Sequence, residues 1–175
     1  MSDHSTENTR ETMAEGLLKA IKAERYGHNF YLMAANSTED PKGKEIFQTL
    51  AREELDHMHF LRKQYDAILK TGQPDNSIRL GPQSDLTGMS PIFSESLKGR
   101  IKEASFEMTS LAIGIQLEHD AMQFYRAEAE AASDLEVKSF FSKLSDWEAG
   151  HYRALLRQQE ELKEDYWLAG GFAPM

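Results

Sequence analysis

Six residues in this 175-residue chain combine the side chains and the spacing of a two-ion metal site. Glu54 and His57 form a Glu-x-x-His, and Glu148 and His151 form a second. On a helix, positions i and i+3 share a face, so each pair can offer one oxygen and one nitrogen to an ion. With 19 Glu and six His in the chain, chance alone gives close to one such pair, so the pairs by themselves decide little. Their context decides more. Glu24 precedes Glu54 by 30 residues, and Glu118 precedes Glu148 by the same distance. One offset of 94 residues carries Glu24 onto Glu118, Tyr31 onto Tyr125, Glu54 onto Glu148 and His57 onto His151.

Four carboxylates buried together without compensation repel one another, and their pKa values climb. Two divalent cations would balance the four glutamates, with neutral imidazoles completing the ligand shell. Other metal chemistries drop out. The chain has no cysteine, which excludes thiolate zinc sites, iron–sulfur clusters and disulfides within it. It has no His-Glu-x-x-His of a zinc protease and no Asp-rich calcium loop. Carboxylate with imidazole suits iron, manganese or zinc, and the ligand set does not choose among them.

These residues must be positioned by helices, because apolar residues recur around them in steps of three and four. The first predicted helix runs from a cap at Thr12 or Thr9 to about Asn36, with Leu17, Ile21, Glu24, His28, Tyr31 and Ala35 on one face. The second opens at Asp40-Pro41 and closes at Gly72, with Phe47, Leu50, Glu54, His57, Leu61 and Ile68 inward. Residues 73–90 are irregular, and Ser90-Pro91 restarts a short helix to about Lys102. The third long helix carries Leu111, Ile115, Glu118, Met122, Tyr125 and Ala129. The fourth, after a Ser133–Glu136 capping box, carries Phe141, Leu144, Glu148, His151, Leu155 and Leu162. Two antiparallel hairpins joined by a long crossover make an all-α four-helix bundle, with the hairpins related by an approximate two-fold axis. The expected organisation is a flexible polar tail at 1–8, the bundle at 9–165 and an apolar tail at 166–175.

Bulk properties agree with a single soluble domain: 40% hydrophobic, 28% charged and a net charge of −9. An acidic chain is a poor partner for nucleic acid or anionic lipid, and no apolar run reaches the length of a membrane span. The polar, acidic start resembles neither a secretory signal nor a basic transit peptide, so a cytoplasmic location is expected.

Glu24, Glu54-x-x-His57, Glu118 and Glu148-x-x-His151, with Tyr31 and Tyr125 each seven residues after a leading glutamate, resemble the ferritin-like superfamily. The chain is most similar to rubrerythrin-type domains, over residues of roughly 12–71 and 105–162. The resemblance implies a ferritin-like four-helix bundle holding two iron ions that react with hydrogen peroxide or dioxygen. Which glutamates bridge the ions stays open between Glu54 with Glu118 and Glu24 with Glu148. Two departures stand out: Ala121 occupies the position of a further family glutamate, and the cysteine-ligated rubredoxin part is missing. Turnover would then need an external electron donor protein.

The functional expectation is a di-iron oxidoreductase of peroxidase or ferroxidase type. The alternatives are an iron-sequestering protein and an interaction module with a structural metal, and a dimanganese catalase is also compatible with the ligands. Tyr31 and Tyr125 either orient ligand carboxylates or fill the core with satisfied hydroxyls. His28 is either an added ligand or a packed, hydrogen-bonded histidine. Met13, Met33, Met58, Met89, Met108 and Met122 are read as core residues. The apolar 166–175 tail suggests docking in a homodimer.

Overall fold

The computed structural model describes residues 3–81, 84, 94 and 105–169, without the side chains of residues 3–9, 166, 167 and 169. Four helices make up most of this: α1 Asp3–Ser37, α2 Pro41–Thr71, α3 Ser105–Ala131 and α4 Leu135–Ala169. No strand occurs among the described residues. Helix α1 packs along α2 and α3 along α4, while α1 meets α3 across the bundle. The three-residue links at 38–40 and 132–134 are too short for anything but antiparallel hairpins. No described helix is long and apolar enough to cross a membrane.

The helix ends follow from local chemistry. Asp40 has extended backbone, and its carboxylate accepts the Gly43 N–H at 2.8 Å, with Pro41 supplying a pre-set φ at the first helical position. Gly72 closes α2 at φ 79°, a left-handed conformation that glycine takes without strain, and its N–H bonds the Ile68 carbonyl at 2.9 Å. Helix α4 is capped by Asp134, whose Oδ1 accepts from the Glu136 and Val137 N–H groups. The expected cap, Ser133, sits one residue too early to reach them. Asp134 is also the 94-residue counterpart of Asp40.

Two expected boundaries move outward. Helix α1 begins at Asp3, so residues 3–8 are helical rather than a flexible tail. No Gly or Pro interrupts residues 3–15, and nothing at Thr9 or Thr12 stops the helix from continuing backward. Helix α4 continues to Ala169, four residues into the expected tail. Met89, the short helix expected near 91–102 and the tail beyond Ala169 lie outside the described residues.

The crossover between the hairpins runs back along α2. Near the C-terminal end of that helix, the Gln64 side chain clasps Asp75, donating to its carbonyl at 3.0 Å and accepting its N–H at 2.9 Å. Halfway along, the Ser84 N–H donates to Glu53 at 3.0 Å. At the N-terminal end, the Ser94 N–H reaches the Asp40 carboxylate at 3.2 Å. Three contacts thus carry the chain from one end of the bundle to the other.

Two apolar clusters fill the interior. One gathers Tyr31, Phe47, Leu50, Leu111, Leu155 and Leu162. The other gathers Leu17, Leu61, Ile68, Tyr125, Phe141 and Leu144. The offset of 94 exchanges them, taking Phe47 to Phe141, Leu50 to Leu144 and Leu61 to Leu155. Ring geometry repeats as well: Tyr31 stacks on Phe47 at 6.4 Å and 18°, and Tyr125 on Phe141 at 6.3 Å and 26°. Met33, expected in the core, is 54% exposed because it falls off the inward stripe of α1.

Asp40 therefore both caps α2 and anchors the crossover through Ser94. Replacing it with Ala should cost about 1–2 kcal/mol, the range for a lost cap. The loss should appear as a lower urea midpoint at unchanged slope. An unaltered midpoint would show that neither contact matters to stability.

Candidate metal centre

Each inward stripe carries its charged residues at the same height, between the two apolar clusters. Helix α1 supplies Glu24, α2 supplies Glu54 and His57, α3 supplies Glu118, and α4 supplies Glu148 and His151. None is more than 4% exposed. Their atoms form two groups that could each hold a cation: Glu54, Glu118, Glu148 and His151 in one, and Glu24, His57 and Glu148 in the other. Within each group the donor atoms lie within 4.8 Å of one another. Glu148 belongs to both, so its carboxylate spans the interval between them.

The hairpins are locked together at this height by reciprocal hydrogen bonds. Tyr31 of α1 donates its hydroxyl to Glu118 of α3, and Tyr125 of α3 donates to Glu24 of α1. Burial first, then the neighbouring carboxylates, push both phenols well above their ordinary pKa, so each remains a donor. A tyrosine donor turns one carboxylate oxygen away from the group and leaves the other facing it. Both tyrosines also belong to the apolar clusters, so the roles of core filler and carboxylate orienter coincide.

The two histidine rings stack at 5.6 Å and 12°. His57 turns Nδ1 toward Glu24 and Glu148, each at 3.2 Å. His151 turns Nδ1 toward Glu118 and Glu148 at 3.6 Å and Glu54 at 3.8 Å. Their outer nitrogens differ. His151 donates Nε2–H to Glu53 at 2.7 Å, and Glu53 in turn accepts from Ser84 of the crossover. The His57 Nε2 has no hydrogen-bond partner among the described residues, and its ring lies edge-on to Trp147 at 5.5 Å. Trp147 is the 94-residue counterpart of Glu53.

Glu53 was not among the residues singled out from the sequence. It sits one position off the inward stripe of α2, where a helix turns its side chain away from the core. It is nonetheless buried, and it accepts the Ser84 N–H from the crossover. The adjacent pair Glu53-Glu54 was the only available signal. His28, the third residue considered beside the ligands, half-buries its ring and donates Nδ1–H to the Ala51 carbonyl at 2.7 Å. It joins neither group.

Without a cation the cluster balances itself with protons. Burial opposes charge on His57, but Glu148 and Glu24 raise its pKa to about 10. His151 is raised well above its ordinary value by Glu118 and Glu148 against the same burial cost. Burial, then repulsion from Glu118 and Glu24, holds Glu54 well above the carboxylate range, and burial leads the rise of Glu118 to about 7. Burial works to raise Glu148 too, but the two imidazoles bring it well below its ordinary value.

Proton sharing leaves the cluster incomplete. Glu54 Oε1, both oxygens of Glu148 and His151 Nδ1 are buried without a hydrogen bond, although such atoms are normally satisfied. They converge on the same space, and their oxygen-and-imidazole chemistry is that of a divalent transition metal. The residues therefore fit a bound metal ion.

A carboxylate on the outer nitrogen of a ligand histidine typically contributes 10- to 100-fold to metal affinity. Glu53→Gln should lower the affinity for one of two bound Mn²⁺ ions by about that factor, leaving the other nearly unchanged. Titration followed by the paramagnetic signal of free Mn²⁺ would measure this. Equal weakening of both ions, or of neither, would contradict it.

Among known proteins, no curated protein and no solved structure matches the chain. A family model does: Rubrerythrin, over residues 15–159, which takes in all six buried Glu and His of the cluster. With the paired hairpins and the carboxylate–imidazole cluster, this match places the chain in the rubrerythrin family of ferritin-like di-iron proteins.

Proposed function

We propose that this protein is a non-haem di-iron oxidoreductase that reduces hydrogen peroxide or dioxygen. Glu24, Glu54, His57, Glu118, Glu148 and His151 are the ligands of two iron ions. One observation carries the reading: two groups of candidate ligands share Glu148, and both Glu148 oxygens, Glu54 Oε1 and His151 Nδ1 are buried without a hydrogen bond among the described residues. A purely structural cluster would satisfy those atoms with protein hydrogen bonds.

When bound, the ferrous pair supplies the two electrons that peroxide reduction requires. The chain supplies the rest. Glu148 fixes the separation of the two positions by belonging to both. Tyr31 and Tyr125 hold Glu118 and Glu24 in place while remaining protonated themselves. The apolar clusters above and below lower the local dielectric around the carboxylates, which strengthens each electrostatic contact inside. The 175 residues contain no cysteine, so the electrons for re-reduction come from outside them.

The test is anaerobic loading with Fe²⁺ followed by one equivalent of hydrogen peroxide. Two irons bound per chain, and their oxidation with consumption of the peroxide, are the expected results. Glu148→Ala, which removes the residue common to both groups, should abolish the tight binding of both ions. Retention of two ions by this variant would show that the site lies elsewhere. Slow oxidation of bound iron by dioxygen without peroxide turnover would favour sequestration instead.

The proton balance gives a second check. Glu54 and Glu118 are raised, Glu118 from 4.5 to about 7, so the folded apoprotein holds these protons more tightly than the unfolded chain. Their stabilisation is complete below 4.5; that of Glu118 is lost as pH rises through about 7, and that of Glu54 is lost above the ordinary carboxylate range. His57, raised from 6.5 to about 10, adds a loss that begins above 6.5. Glu148 and Glu53 are depressed and lose their contribution only in acid. Apoprotein stability should therefore fall from pH 5 to pH 8, whereas the metal-loaded form, whose cations replace those protons, should not follow it down. Urea midpoints across this range measure both, and a flat apoprotein profile would refute the proton-sharing account.

A further inference from the structure

On the side of its histidines, the carboxylate cluster has the stacked rings, with Trp147 beside His57 and Glu53 bonded to His151 and Ser84. On the side of α1 and α3 it is open. A cavity of about 350 Å³ runs between these helices from the exposed residues Lys19 and Tyr26 down to Glu24, Glu54 and Glu118. Its waist is set by Gly27 and Ala121, which the 94-residue offset makes equivalent. Gly27 has no room to be larger: a Cβ there would lie 3.0 Å from Glu54 Oε2 and 3.1 Å from its Cδ. Ala121 faces the same space from α3, and Leu117 and Phe124 complete an apolar wall.

A water molecule occupies about 30 Å³ of liquid, and hydrogen peroxide is only slightly larger. The cavity is therefore several times too roomy for peroxide, and its walls carry little that would recognise it. Apolar walls over a carboxylate floor suit a molecule with a reactive oxygen end and a small hydrocarbon body.

We propose that this cavity admits small alkyl hydroperoxides to the centre, and that Ala121 sets the size of the alkyl group accepted. The inference rests on the di-iron reading above. In the reaction the O–O bond of ROOH breaks, the ferrous pair gives up two electrons, and two protons from solvent complete ROH and water. The alkyl group stays between Gly27 and Ala121 throughout, so it needs no further polar partner.

The test compares a small and a branched probe on wild type, Ala121→Phe and Ala121→Ser. In Co²⁺-loaded protein, azide and pivalate are titrated against the visible cobalt bands. Pivalate carries a carboxylate head on a tert-butyl body, and neither probe requires redox turnover. Filling the cavity with Phe should weaken pivalate by at least about tenfold, the cost of a pocket that no longer fits its occupant, while azide changes by less than about threefold. Serine should leave both unchanged. In Fe²⁺-loaded protein, tert-butyl hydroperoxide should follow pivalate and hydrogen peroxide should follow azide.

Should Ala121→Phe fail to bind two Co²⁺ ions, Ala121→Leu carries the same comparison. Wild type that binds azide but not pivalate overturns the proposal, as does a Phe variant that binds pivalate normally. Reaction with hydrogen peroxide but not with tert-butyl hydroperoxide overturns it too, and leaves the di-iron reading standing. Failure of both oxidants in protein holding two irons overturns that reading together with this one.

Discussion

Four glutamates and two histidines inside an apolar bundle pose an electrostatic problem that the rest of the fold is arranged around. Isolated charges at such depth are prohibitively costly, and a half-compensated cluster is worse than an apolar core. In this bundle the cluster lies at one height, so a single pair of cations could neutralise it. Apolar layers above and below are exchanged by the internal two-fold, and a tyrosine from each layer reaches into the charged one. Those two phenols belong to both environments. Each holds one carboxylate of the other hairpin, adding to the His57–Glu148 and His151–Glu53 contacts and the shared apolar clusters that join the hairpins.

The symmetry is most informative where it fails. Glu53 answers to Trp147, so one histidine rests on a carboxylate and the other on an indole. The cause is topological. A chain with two hairpins has only one crossover, which can cover only one of the two equivalent helices. It covers α2, and Ser84 pins Glu53 there. A bundle that is symmetric in its buried Glu and His is therefore asymmetric just outside them, and its two candidate groups need not share an affinity for metal.

Much of this was legible in the amino-acid sequence because the periodic signal is strong. Glu24, Glu54, His57, Glu118, Glu148 and His151 lie on helical stripes whose other members are Leu, Ile, Phe and Ala, and the common offset ties the stripes together. Asp40, Pro41 and Gly72 announce the ends of α2 by chemistry that acts within four residues. The failures came where longer-range structure decides. Glu53 is off-stripe, and its partner Ser84 lies on a loop that periodicity cannot place. Asp134 displaced Ser133 as a cap because capping geometry resolves single residues and sequence pattern does not. Thr9 and Thr12 offered caps that α1 did not use, since a helix continues backward where nothing breaks it. Met33 was read inward from its residue type alone, although its position on α1 turns it outward.

The division of ligands between the hairpins has a consequence for how the molecule comes into being. The first hairpin holds Glu24, Glu54 and His57, and the second holds Glu118, Glu148 and His151, yet each ligand group draws on both. Helical hairpins make local contacts and form early, whereas contacts across some 90 residues of sequence wait on a slower search. Neither hairpin alone can complete an ion position, and Glu148 is needed for both. During synthesis, then, the nascent chain exposes no finished site until α4 has been made past His151, about halfway along it. Entry of a metal ion would be coupled to the docking of the two halves, and a chain that stalls before that point has no assembled site to offer one.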